Sequence, residues 1–284
     1  MSTTAAHPIL LGTSGWSYPD WVGPFYPDGL DSSDQLSFYA DRFDVVEVDS
    51  SFYRPPTPRM VRAWRSRTPD GFKFALKVPQ VITHTKRLKD CEEEVEGFIG
   101  SILPLGDKLD CALLQLGYFN RQAFATFDEF LDTLDQFLAS WPHDKVPLAV
   151  EIRNPRWVHQ HLLTLLRSHG AAYTLTDQSW MPRPWEIVEK FDVVTGPLVF
   201  VRLLGDREGI EKITTTWDRE VVDRSEDVDR LASVLKDLSA RARTLVFANN
   251  HYAGHSPATV RMLRERLGMA EPKPPPRPRT TLFD

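Results

Sequence analysis

Eight short runs rich in β-branched and aliphatic residues recur along the chain: "ILLGTS" (9–14), "VVEVDS" (45–50), "KFALKV" (73–78), "CALLQLG" (111–117), "PLAVEIR" (147–153), "AYTLTD" (172–177), "PLVFVRLL" (197–204) and "TLVFANN" (244–250). Between most of them apolar residues fall at helical spacing, as in "SSDQLSFYADRF", "ATFDEFLDTLDQFLASW", "EDVDRLASVLKDLSARA" and "SPATVRMLRERLG". Strands alternating with helices predict a parallel α/β fold, and eight of them predict a TIM-like (β/α)8 barrel. A doubly wound dinucleotide-binding sheet is disfavoured, because no G-x-G-x-x-G or Walker A run is present.

Parity within the strands adds chemistry. In "LAVEIR" the set Leu148, Val150, Ile152 alternates with Ala149, Glu151, Arg153. In "KFALKV" Phe74, Leu76 and Val78 oppose Lys73, Ala75 and Lys77; in "VVEVDS" Val46 and Val48 oppose Glu47 and Asp49. Alternate residues of a barrel strand face the helices or the interior. The expectation is therefore apolar groups toward the helices and charges in the mouth. Lys77, Arg153 and Arg202 then meet Glu47, Glu151 and Asp177, either as an active site or as a polar plug closing the barrel.

Composition adds few constraints. The chain of 284 residues has 42% hydrophobic and 26% charged residues and a net charge of −5, so any anion site must be local. No apolar run reaches the roughly 18 residues of a membrane span, and no basic n-region precedes the first one. Two cysteines without C-x-x-C spacing fit a reducing cytoplasm. A single domain over residues 8–268 is expected, followed by a Pro-rich, basic, disordered tail at 269–284.

The blocks "GTSGWSYPDWVGPFYP", "FYADRFDVVEVDSSFYRPP", "FKFALKVPQVITH", "VEIRNPRWV" and "FANNHYAGHSPATVRML" resemble, in order, the signatures of the YecE-like family, a domain of unknown function numbered seventy-two. The resemblance runs from about residue 8 to 268. It implies a TIM-barrel-like fold and supplies no reaction.

Candidate site residues follow from the strand ends. Glu151, Asp177, Glu47 and His84 are the acid/base candidates. Lys77, Arg153 and Arg202 supply positive charge, and Gln115 a strand-end amide. Trp16 and Tyr53 are rings placed to stack on a ligand, although the aromatic loop that holds Trp16 can equally form a satellite core. Asn249, Asn250 and His251 close the last strand. Ser256-Pro257 reads as an N-cap with Pro at N1, which points free N–H groups at an anion beside Arg202.

The reading that results is an enzyme, with hydrolysis among the reactions open to it. It would use acid/base carboxylates and a basic anion subsite on a phosphorylated or sugar-containing substrate, with nucleic acid included. Alternatives are a nucleic-acid-binding protein without chemistry and a metal-dependent barrel hydrolase or isomerase. Against metal, three cations crowd the site and no H-x-H or H-E-x-x-H spacing occurs; no cofactor is expected. The end "RTTLFD" resembles the Leu-Phe peptide by which bacterial DNA-processing proteins dock on the sliding clamp. Leu282 and Phe283 would be the anchors, but Arg279 stands where glutamine is usual.

Overall fold

The structure, a computed structural model, describes residues 7–272. Eight parallel strands close into a barrel in the order β1 to β8. They are β1 Ile9–Ser14, β2 Val45–Val48, β3 Lys73–Lys77, β4 Leu109–Gln115, β5 Leu148–Glu151, β6 Ala172–Gln178, β7 Leu198–Gly205 and β8 Arg243–Ala248. The ring closes where Ile9 to Thr13 pair with Thr244 to Ala248. The expected eight-stranded barrel is therefore present. Leu282 and Phe283, and the tail from residue 273 onward, lie outside the described residues.

The helices are α1 Gln35–Ala40, α2 Pro58–Ser66, α3 Glu92–Ile102, α4 Phe127–Ser140, α5 Gln160–Ser168, α6 Pro184–Lys190, α7 Arg207–Glu211, α8 Ser225–Ser239, α9 Asn250–Ala253 and α10 Ser256–Leu267. α4 shows why they form. The Thr126 side chain accepts from Glu129 N at its start, and Phe130, Leu134, Phe137 and Leu138 recur on one buried face.

Two apolar clusters divide the interior. The larger lies between sheet and helices and takes Val46, Phe74, Val150, Tyr173 and Val201. The smaller fills the barrel with the opposite parity, including Val45, Ala75, Cys111, Ala149, Ala172 and Phe200. Above this apolar plug the inward positions turn charged, at Glu47, Lys77, Glu151 and Arg202. Four strands, β2, β3, β5 and β8, are shorter than their sequence runs, and the early ends of β2 and β5 shape the mouth. β2 stops at Val48 because Asp49–Phe52 coils into a 3-10 turn, where Ser51 Oγ bridges Val48 O and Lys77 O at 2.7 and 2.8 Å. β5 stops at Glu151, leaving Arg153 on the loop.

Candidate active site at the barrel mouth

Arg202 is the centre of the mouth. Its side chain is 3% exposed and its guanidinium forks onto Glu47, with Nε–Oε2 at 2.8 Å and Nη2–Oε1 at 2.6 Å. Its Nη1 donates to Glu151 Oε2 at 2.8 Å and Gln115 Oε1 at 3.2 Å. Arg153 Nε lies 2.5 Å from the other Glu151 oxygen, and Arg153 also donates to Gln178 Oε1. Lys77 Nζ and Arg202 Nη2 each stand 3.6 Å from Asp49 Oδ1. Three cations and three carboxylates thus interlock at the end of the apolar plug. Such a cluster persists only because each buried charge has a partner.

The charges are held unequally. Burial pushes the Glu47 carboxyl up to about 7, against the pull of Arg202. Burial also acts on Glu151, but Arg153 and Arg202 outweigh it and hold that carboxyl below its ordinary value. Burial lowers the Lys77 ammonium, while Asp49 opposes it.

A cavity of about 310 Å³ opens above the cluster. Lys77, Gln115, Arg153, Arg202, Asn249, His251 and Tyr53 line it, as the strand ends predict. Tyr18, Asp49, Gln178, Leu204 and Arg207 complete it and were not singled out as site residues. Parity could have found Gln178, which follows inward Thr174 and Thr176. Arg207 depends on the turn at Gly205, whose φ of +67° and close approach to His251 O, 2.5 Å from where a Cβ would sit, exclude a side chain.

Several expectations are corrected. Glu47 and Glu151 lie fully buried beneath the cavity, so they cannot meet a ligand in this arrangement; Asp49, with a side chain 31% exposed, is the carboxylate on the wall. Asp177 shares the outward parity of Tyr173 and Leu175. It pairs with Arg183 and accepts from Tyr252 Oη at 3.0 Å, behind the sheet. His84 does not line the cavity; its ring packs on Phe52, whose face in turn carries the Lys77 ammonium at 4.2 Å. Trp16 packs edge-on against Trp64, and Trp21, Phe25 and Tyr26 form an aromatic core with Phe38, Tyr39 and Phe43. The satellite-core reading of that loop holds, except for Tyr18.

The last strand's asparagines divide the work. Asn249 lines the cavity and its Oδ1 accepts from His251 N at 3.0 Å. Asn250 is a buried tie: its Oδ1 accepts from Trp21 Nε1 at 3.3 Å, Ser256 N at 3.0 Å and Ser256 Oγ at 2.8 Å. The N-cap of α10 is His255, not Ser256, and the N–H expected to meet an anion is spent on Asn250. Arg202 is likewise forked onto Glu47 and Glu151, so neither of the two groups expected to meet an anion here is without a partner. Asn250→Ala should lower the unfolding free energy by about 1–3 kcal/mol, since three donors lose their acceptor at once. Urea midpoints at constant slope would measure this, and an unchanged midpoint would contradict the tie.

Among the described residues no group of three or more His, Cys, Asp and Glu side chains can hold a metal ion. The strand-end carboxylates do not converge: Asp177 faces outward, and Glu47 and Glu151 are bound to guanidiniums.

The family described as "Protein of unknown function DUF72" matches residues 10–282. The UPF0759 protein YecE of Escherichia coli K12 is 34% identical over 150 residues, which take in 52% of this chain and 50% of YecE. The UPF0759 protein YunF of Bacillus subtilis is 27% identical over 185 residues, 60% of this chain and 61% of YunF. The chain thus spans about half the length of YecE and three fifths of YunF in these matches. A crystal structure of a DUF72 family protein from Thermotoga maritima superposes with a TM-score of 0.75 at 27% identity, covering 92% of this chain and all of that one. The barrel, the ordered strand-end blocks and a family match over most of the length agree, and the chain belongs to the DUF72 family.

Proposed function

We propose that this protein is an enzyme that takes a small phosphorylated, sugar-containing ligand into the mouth cavity and acts on it by acid/base chemistry. One observation carries the reading: Lys77, Arg153, Arg202 and Arg207 are on the cavity wall, against the single carboxylate of Asp49. The balancing Glu47 and Glu151 lie on the far side of Arg202 and Arg153. A ligand in the cavity therefore meets the cationic side of the cluster first, which favours an anion.

Roles follow from position. Lys77, Arg153 and Arg207 meet the phosphate, and Arg202 stays fixed as the electrostatic floor. Gln115, Gln178 and Asn249 offer neutral donors and acceptors to hydroxyls. Asp49 is the acid/base group: its side chain is 31% exposed on the wall, and it takes or returns the proton on its exposed side, because Oδ1 is buried 3.6 Å from both Lys77 Nζ and Arg202 Nη2. His251, held by Asn249 and Glu211, sits at the rim.

Ribose 5-phosphate should raise the melting temperature, whereas ribose should not. At about a hundredfold excess over Kd the gain is roughly 2.7 kcal/mol. Lys77→Met and Arg207→Ala should each shrink the shift, and Arg207 is exposed enough that its loss leaves the fold intact. A shift of equal size in wild type and both variants, or one given equally by ribose, would count against the reading.

A further inference from the structure

Beside the cavity runs a second, larger depression of about 1080 Å³, bounded by the loops after β4, β5 and β6. The two share no lining residue but are lined from the same three strand ends. Gln115, Arg153 and Gln178 face the cavity, while Tyr118, Asn154 and Trp180 face the groove one to three residues further on. Its floor is aromatic: Trp157 stacks on Phe130 at 4.3 Å, and Phe119, Phe124 and Phe127 pack around it. Asn154 pins the wall by bonding both Phe119 N and Phe119 O, at 3.0 and 2.8 Å.

Two further features point to an occupant. Tyr53, Tyr118 and Trp180, at 75%, 69% and 50% exposure, are the exposed aromatics in the described residues. All three stand at the mouth, after β2, β4 and β6. Core aromatics need no such exposure, and rings left in water beside a cavity are surfaces for other rings. The charge is also one-sided. Segments 116–126, 152–159 and 178–183 hold four arginines and no acidic residue, in a chain of net charge −5. Of these, Arg121 and Arg156 are exposed, line the groove and have no carboxylate partner among the described residues.

We infer that the groove binds single-stranded nucleic acid, with bases stacked on Tyr118 and Trp180 and phosphates met by Arg121 and Arg156. The inference rests on the cavity's anion reading, because the same strand would deliver one nucleotide's phosphate and sugar to Lys77 and Arg153. Neutral sugars also stack on aromatic rings, but they give unpaired arginines nothing to neutralise. A polyanion carrying flat rings satisfies both features of the groove.

The test is fluorescence anisotropy of the full chain with a labelled twelve-nucleotide oligothymidylate, repeated across a salt series. Binding should weaken with salt, and Tyr118→Ala or Trp180→Ala should each loosen it about tenfold. Both side chains are exposed, so melting temperatures should match wild type and confirm that folding is intact. Arg121→Ala combined with Arg156→Ala should flatten the salt dependence by roughly one to one and a half units of slope. Absence of binding, or binding indifferent to both aromatic replacements, overturns the inference. So does a neutral xylo-oligosaccharide that binds with the same sensitivity to Tyr118 and Trp180, which would assign the groove to sugars. If the oligonucleotide fails while ribose 5-phosphate still raises the melting temperature, the groove inference falls and the cavity reading stands.

Discussion

Arg202→Met should destabilise the fold by about 3–5 kcal/mol at pH 8, the largest single loss expected anywhere in the mouth. Methionine fills much of the same space, so the effect is electrostatic rather than a cavity. Without the guanidinium, Glu47 loses both charge-assisted bonds and keeps only the more distant attraction of Lys77. Glu151 keeps Arg153. The loss should depend on pH in a definite direction. Removing Arg202 raises the Glu47 pKa further above its unfolded value, so the variant is least impaired where Glu47 is protonated. Chemical denaturation at pH 5.5 and pH 8 should therefore show the smaller deficit at pH 5.5. Adding Glu47→Gln to Arg202→Met should recover part of the pH 8 deficit, because the uncompensated carboxylate is gone. A deficit under about 1 kcal/mol at pH 8, or one flat across pH, would mean that Arg202 does not neutralise the floor as described.

Glu47→Gln on its own gives the second large effect. The folded carboxyl sits at about 7, above its ordinary 4.5. A raised folded pKa contributes stability that is fully present below the unfolded value and is lost as pH rises through the folded one. The stability of wild type relative to Glu47→Gln should thus fall between pH 5 and pH 8, by up to about 3 kcal/mol. Glu151 runs the other way. Its pKa is held down, so its contribution is present above the unfolded value and lost as pH falls below it, outside this window. His84 and His251, whose pKa values burial lowers, titrate nearby but do so in both proteins, and their effect cancels in the difference. A difference that stays constant, or grows with pH, would show that the Arg202 fork keeps Glu47 fully ionised.

The same cluster shows how far one-dimensional pattern reaches. Period-two alternation placed Glu47, Lys77, Glu151 and Arg153 on the inward side, because each pairs with a large apolar neighbour that must face the helices. Applied to "AYTLTDQ", the same rule assigns Asp177 to the outer face with Tyr173 and Leu175, and makes Gln178 the inward residue. A carboxylate at a strand end suggests the mouth, but parity is the stronger signal at this position. Its partners, Arg183 at the start of α6 and Tyr252 in α9, are not deducible from spacing.

The barrel, its eight strands and the inward charges follow from local periodicity and from what an apolar interior will accept. Which of those charges reach the cavity wall depends on the folded arrangement. Glu47 and Asp49 lie two residues apart with the same parity, yet β2 ends between them, and the 3-10 turn lifts Asp49 to the wall while Glu47 stays on the floor. Asn250 and Trp21, separated by 229 positions, meet because ring closure sets β8 beside β1. The aromatic groove likewise gathers side chains from three strand ends that no stretch of sequence shows together. Burial depth and long-range pairing come from how the loops fold over the closed barrel, and local pattern carries no record of that.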